Sequence, residues 1–177
     1  MSEIIFILGA GASSDCGAPL MNNFLDTASR LLSTNDVSGK KGEFERVFRA
    51  ISSLQAVHSK SQLDLNNIES IFTALEIANI LQKLPGFKPE EIPQVITSLK
   101  ELIVVTLERT IEFPTRKDRI LAPRSYKNFS ELLVYLKKDA YPVVNPSVVT
   151  FNYDIALDVA MHRCGLGPVY CFGPQVS

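Results

Sequence analysis

Two short motifs in this 177-residue chain carry residue types suited to chemistry. The first is Gly9-Ala10-Gly11-Ala12-Ser13, which follows the apolar run Ile4-Ile5-Phe6-Ile7-Leu8. Small residues after a strand let the backbone come close to a phosphate, and N–H groups at the start of the next helix can hydrogen-bond it. The spacing is not GxGxxG, because Ser14 stands three residues after Gly11, and no GK[ST] follows to make a Walker loop. Taken alone, the motif also fits a tight turn that holds no ligand. The second motif is Thr150-Phe151-Asn152-Tyr153-Asp154, at the end of the run that begins Val148-Val149. Asn152 and Asp154 both project toward one crevice if the chain stays extended through Tyr153. Asp154 by itself reads equally well as a cap for the helix after it.

These motifs need strands to place them, and the chain supplies the pattern at both ends. Residues 3–8 read as a buried parallel strand, and 9–19 as its turn, punctuated by Gly9, Gly11, Gly17 and Pro19. Helical spacing of apolar residues follows over about 20–33, 43–58, 67–83, 90–112 and 126–138. Ser33 to Gly42 is a polar break, Asn66 or Asn67 is an N-cap candidate, and Pro85-Gly86 and Pro114 close helices. Pro146-Ser147 then introduces a second strand, a helix fits 154–163, and Val169-Tyr170-Cys171-Phe172 reads as a third strand. The expected architecture is one open α/β domain over 1–177. A helical insertion of about 34–140 separates the strand-turn 3–19 from the strand-turn 146–154. In such sheets ligands sit at the carboxyl ends of the strands, where both motifs fall.

Composition removes several function classes. With 18 basic and 19 acidic residues there is no broad nucleic-acid footprint, and Arg116, Lys117, Arg119, Arg124 and Lys127 read as a solvated basic loop. No apolar run approaches the ~18 residues of a membrane span, and Glu3 stands where a secretory signal would carry Lys or Arg. A cytoplasmic protein is expected. Cys16, Cys164 and Cys171 form no CxxC pair, so no metal ligands are assigned, zinc included.

Together the motifs are more specific than either alone. The GAGAS turn with Gly17-Ala18-Pro19, and TFNYD more than a hundred residues later, resemble the sirtuin family. The resemblance is nearer to the sirtuin-like domains of bacterial anti-phage effectors, where a helical insertion separates the motifs. It covers both ends of the chain, and the helix opening at Asn67-Ile68-Glu69 is similar to that group as well. The resemblance implies a Rossmann-like parallel sheet that binds NAD and breaks its nicotinamide–ribose bond, giving nicotinamide and ADP-ribose. By motif match, Gly9, Ala10, Gly11, Ala12, Ser13 and Pro19 contact the cofactor. Asn152 takes the catalytic position, and Asp154 binds the nicotinamide carboxamide. Cleavage builds positive charge on the ribose, so an aligned Asn that positions water suits the reaction.

The departures sharpen this expectation. The paired CxxC motifs of zinc-bearing sirtuin deacylases are absent, Phe151 stands where they usually carry Gln, and Leu20-Met21 replaces their Asp-Phe-Arg. Protein deacylation is therefore the least favoured of three readings; the second is a non-catalytic NAD or ADP-ribose sensor. The family's catalytic His lies downstream of the Asn, before a Gly. Here only His58 and His162 exist, neither before Gly, and His162 falls inside the helix after Asp154. The missing His is expected beyond Ser177, in a longer chain with a C-terminal sensor or effector domain, and the 177 residues alone are expected to be inactive. Assembly with further copies of the chain stays open.

Overall fold

A computed structural model describes residues 2–57, 64–117, 119–138 and 144–170. The chain divides into two compact units, Met1–Ala18 with Ile111–Ser177, and Pro19–Thr110.

The first unit holds the strands. β1 (Ser2–Leu8) pairs in parallel with β4 (Val144–Thr150), with Ile5 opposite Ser147 and Ile7 opposite Val149. The amide of Phe151 donates to the Leu8 carbonyl at 3.0 Å, which carries the pairing one residue past β4. Between them in sequence come a short hairpin, β2 (Thr115–Arg116) with β3 (Arg119–Ile120), and helix α5 (Arg124–Lys138). The hairpin replaces the loop expected for the basic stretch, and Lys117 at φ 48° makes its turn. The expected α/β class and parallel pairing hold.

The expectation that residues 3–8 form a fully buried strand is corrected. Phe6 meets Phe129 of α5 edge-on, with centroids 5.2 Å apart, so α5 covers one face of the pair. Ile5 and Ile7 point the other way and are 64% and 69% exposed, with Val149 and Phe151 beside them also exposed. Successive side chains alternate across a strand, so cover on one side buries only every second residue. The expected third strand is not formed over its described part. Val169 and Tyr170 are exposed and outside any ladder, and the Tyr170 hydroxyl instead bonds the Asp158 carboxylate of α6 (Ala156–Arg163). Cys171 and Phe172 lie outside the described residues.

The second unit is helical. α1 (Phe24–Ser33), α2 (Lys41–Val57) and α3 (Ile68–Leu81) each pack against α4 (Ile92–Thr110). α4 is accordingly buried over much of its circumference, through Ile92, Val95, Leu99 and Leu102 among others. Asn67 caps α3 as the sequence indicates, its Oδ1 accepting from the amides of Glu69 (2.8 Å) and Ser70 (3.4 Å). The same helix stops earlier than Pro85: Gln82 turns left-handed at φ 53°, and Pro85-Gly86 instead forms the turn of a Leu84–Phe87 bridge. The independent helical body thus runs from Pro19 to Thr110, and α5, within the stretch expected as insertion, packs on β4 and α6 in the first unit. Among the described residues no helix is long and apolar enough to cross a membrane.

Candidate functional site

The two motifs meet where the sheet predicts. After β1 the chain enters a 3-10 helix, Ala10–Cys16, in place of the open turn expected over 9–19. Its ring closes through the Ala12 amide on the Gly9 carbonyl at 2.9 Å. Gly17, at φ 91°, ends it in the left-handed region where a side chain is strained. A single 3-10 stretch presents less dipole than a long α-helix, so any phosphate at this turn would be met mainly by local amides.

Neither the backbone nor packing explains Gly9 and Gly11. Gly9 is extended at φ −113°, ψ −177°, and Gly11 is not among the positive-φ glycines. A Cβ built on either would meet nothing within 4 Å. Both are exposed, so the space beside this turn is open. Ala12 faces inward, against the small core that includes Cys16 and Tyr126.

Asn152 sits just past β4 and reaches across to β1's helix. Its Nδ2 donates to Ser13 Oγ at 2.8 Å and to Tyr126 Oη at 3.0 Å, and those two hydroxyls are 2.8 Å apart. Ser13 is 1% exposed and Tyr126 2%. The proton inventory favours the amide orientation with nitrogen inward, an assignment made from the hydrogen-bond network. With nitrogen inward, two N–H groups and one O–H fill all three edges of the triangle. With oxygen inward, both hydroxyls would donate to it and the Ser13–Tyr126 edge would have no proton. One hydroxyl proton therefore remains unused inside the cluster. Asn152 Oδ1 is enclosed and unpartnered as well. The hydroxyls of Thr106, Ser125 and Ser130 share that condition, so an orphan atom alone marks nothing. What distinguishes Asn152 is its place at the carboxyl end of paired parallel strands.

The chain does not stay extended through Tyr153, which corrects the expectation that Asn152 and Asp154 project together. Residues 153–155 bend, and Asp154 Oδ1 accepts from the Ala156 amide at 2.8 Å, tying it to the start of α6. A carboxylate two residues ahead of a free helix-start amide closes this local ring more readily than it reaches outward. Its charge is still felt in the cluster. Burial first, then Asp154, pushes the Cys16 thiol up from its ordinary value. Burial likewise raises the Tyr126 phenol, more than the Ser13 hydrogen bond lowers it, with Asp154 adding to the rise. Cys16 Sγ meanwhile donates to the Ser13 carbonyl at 2.9 Å and is a free, buried thiol.

No family model matches this chain, and no curated protein matches its sequence.

The structure thus brings Ser13 and Asn152 into contact and leaves Gly9 and Gly11 exposed, with Ala10 between them half-buried, at the same strand ends. Pro19 is the first residue of the helical unit. His162 lies in the last turn of α6, inside the helix expected after Asp154, and is exposed there; His58 lies outside the described residues. Tyr126 is the residue that sequence reasoning missed. A tyrosine in the first turn of an amphipathic helix looks like any other core aromatic, and only the contact with Ser13 and Asn152 gives its hydroxyl a role. Among the described residues no group of three or more His, Cys, Asp or Glu could hold a metal ion.

Proposed function

We propose that the strand-end cluster is the sirtuin-like NAD site implied by the two motifs, in a cytoplasmic protein with a Rossmann-like sheet. On this reading the domain hydrolyses NAD to nicotinamide and ADP-ribose in bacterial anti-phage defence. The observation that carries this reading is the hydrogen bond between Asn152 and Ser13, 139 residues apart, at the carboxyl ends of adjacent parallel strands. The leftover hydroxyl proton and the orphan Oδ1 make one donor and one acceptor, which is the complement of a ribose hydroxyl or a carboxamide. Use of Oδ1 by a ligand requires the Asn152 side chain to move, because that oxygen is enclosed. Gly9 and Gly11 supply the open side for a pyrophosphate.

A second reading, a sensor that binds NAD or ADP-ribose without cleaving it, is favoured by the same triangle. Asn152 spends both amide protons on Ser13 and Tyr126, and His162, the one described histidine, is exposed on α6. Both readings require binding at the glycine turn. Gly11→Val fills only open space in the free protein, so it should fold normally and lose NAD and ADP-ribose affinity by calorimetry. Unchanged affinity would remove the turn from the site. Where binding is seen, release of nicotinamide separates hydrolase from sensor.

A further inference from the structure

The helical unit contains a cleft of about 480 Å³, lined on α2 by Glu45, Arg46 and Arg49 and on the facing stretch by Phe87, Glu91 and Gln94. Its two cations are held by neutral groups. Arg46 Nη1 donates to Ser98 Oγ at 2.7 Å, and Ser98, buried, donates in turn to the Gln94 carbonyl at 2.8 Å. Arg49 lies over the Phe87 ring, 4.2 Å from its centroid. A hydroxyl and an aromatic face orient a guanidinium without neutralising it. The two arginines are three residues apart on one helix and therefore share a face.

Carboxylates are close, yet they are occupied. Glu45 pairs with Lys41 at 3.8 Å, and Glu91 accepts from the Lys88 amide at 2.7 Å. Among the described residues neither Arg46 nor Arg49 forms an ion pair within 4.0 Å. Packing alone accounts for the Phe87 and Ser98 contacts but not for two oriented, unneutralised guanidiniums opening on one cleft. Its volume falls in the ~300–1,000 Å³ range of small-molecule sites. The neighbouring Glu45 and Glu91 repel polyanions, which restricts the ligand to one anionic group on a small polar body.

We infer that this cleft binds a small organic molecule through a single carboxylate or phosphate group received by Arg46 and Arg49. It is independent of the nucleotide reading above. The test is titration of the full isotope-labelled chain with glycerol phosphate and with lactate, at ionic strength held constant with chloride, following backbone amide resonances. At least one probe should shift residues 42–49 and 87–94 saturably; whichever binds more tightly distinguishes phosphate from carboxylate. Loss of a charge-assisted contact should weaken that binding about tenfold or more in Arg49→Gln. Arg49 is exposed, so this variant should remain folded, as circular dichroism would confirm. Glu45→Gln should bind as well as the parent or better. Saturation by neither probe, shifts confined to other regions, or an Arg49→Gln variant that binds like the parent would overturn the inference.

Discussion

Replacing Asn152 by Ala should barely change the stability of the free protein, although it removes two hydrogen bonds. Those bonds, to Ser13 and Tyr126, are worth roughly 0.5–1.5 kcal/mol each, or about 2 kcal/mol together. The substitution also deletes Oδ1, whose enclosure without a partner costs about 1–3 kcal/mol. Ser13 and Tyr126 keep their mutual bond, so no new buried group is orphaned. The two effects offset to within about 1 kcal/mol. Tyr126→Phe differs in sign logic: it leaves Oδ1 in place, strands one amide proton and removes one of Ser13's two partners, the bond from Asn152 staying, for a loss of about 2–4 kcal/mol. The assay follows from composition. The chain has no Trp, and all five tyrosines lie after residue 111, so tyrosine fluorescence in urea reports the strand unit without signal from the helical one. A loss above about 3 kcal/mol for Asn152→Ala would mean that Oδ1 has a partner in the native protein, and a neutral Tyr126→Phe would deny the triangle itself.

Other substitutions probe the surrounding argument. Gly17→Ala places a side chain at φ 91° and should cost about 1–2 kcal/mol in the same urea assay, whereas Gly11→Ala should be near neutral. At alkaline pH the strand unit should weaken. Burial holds the Cys16 and Tyr126 pKa values above their ordinary 9.0 and 10.0, so the unfolded chain loses these protons first. The stability they contribute is full below the unfolded values and falls as pH rises through the folded ones, seen as a lower urea midpoint at about pH 10.5 than at about pH 8. Tyr126→Phe should flatten part of that slope. Cys16 should react with iodoacetamide far more slowly than Cys164, which is only partly buried; equal rates in the folded protein would contradict the placement of Cys16.

Local signals were the legible ones. The helical periods, the polar break before α2, the Asn67 cap and the second strand, expected over Val148 to Phe151 and formed over Val144–Thr150, depend on residues near one another in the chain, and their forms agree with the sequence pattern. The 3-10 helix after β1 was not legible, because Gly-Ala-Gly-Ala-Ser carries no apolar period from which to infer a helix. The one-sided burial of β1 escaped as well. An unbroken apolar run looks the same whether a strand is covered on one face or two, and the difference lies in where α5 packs.

The sequence by itself determined which residues are candidates for chemistry and their position after strands, since an apolar run ended by small or polar residues is a short-range property. It also implied that Gly9 and Gly11 lack a side chain for some reason. Only the tertiary structure decided what those residues touch. A parallel pairing between β1 and β4 sets Asn152 against Ser13, α5 adds the Tyr126 hydroxyl, and the bend at 153–155 turns Asp154 back onto α6. Each of these contacts is a matter of hydrogen-bond direction between groups far apart in the chain. Residue type limits how many protons such a group can give or take, but not which partner will be within reach.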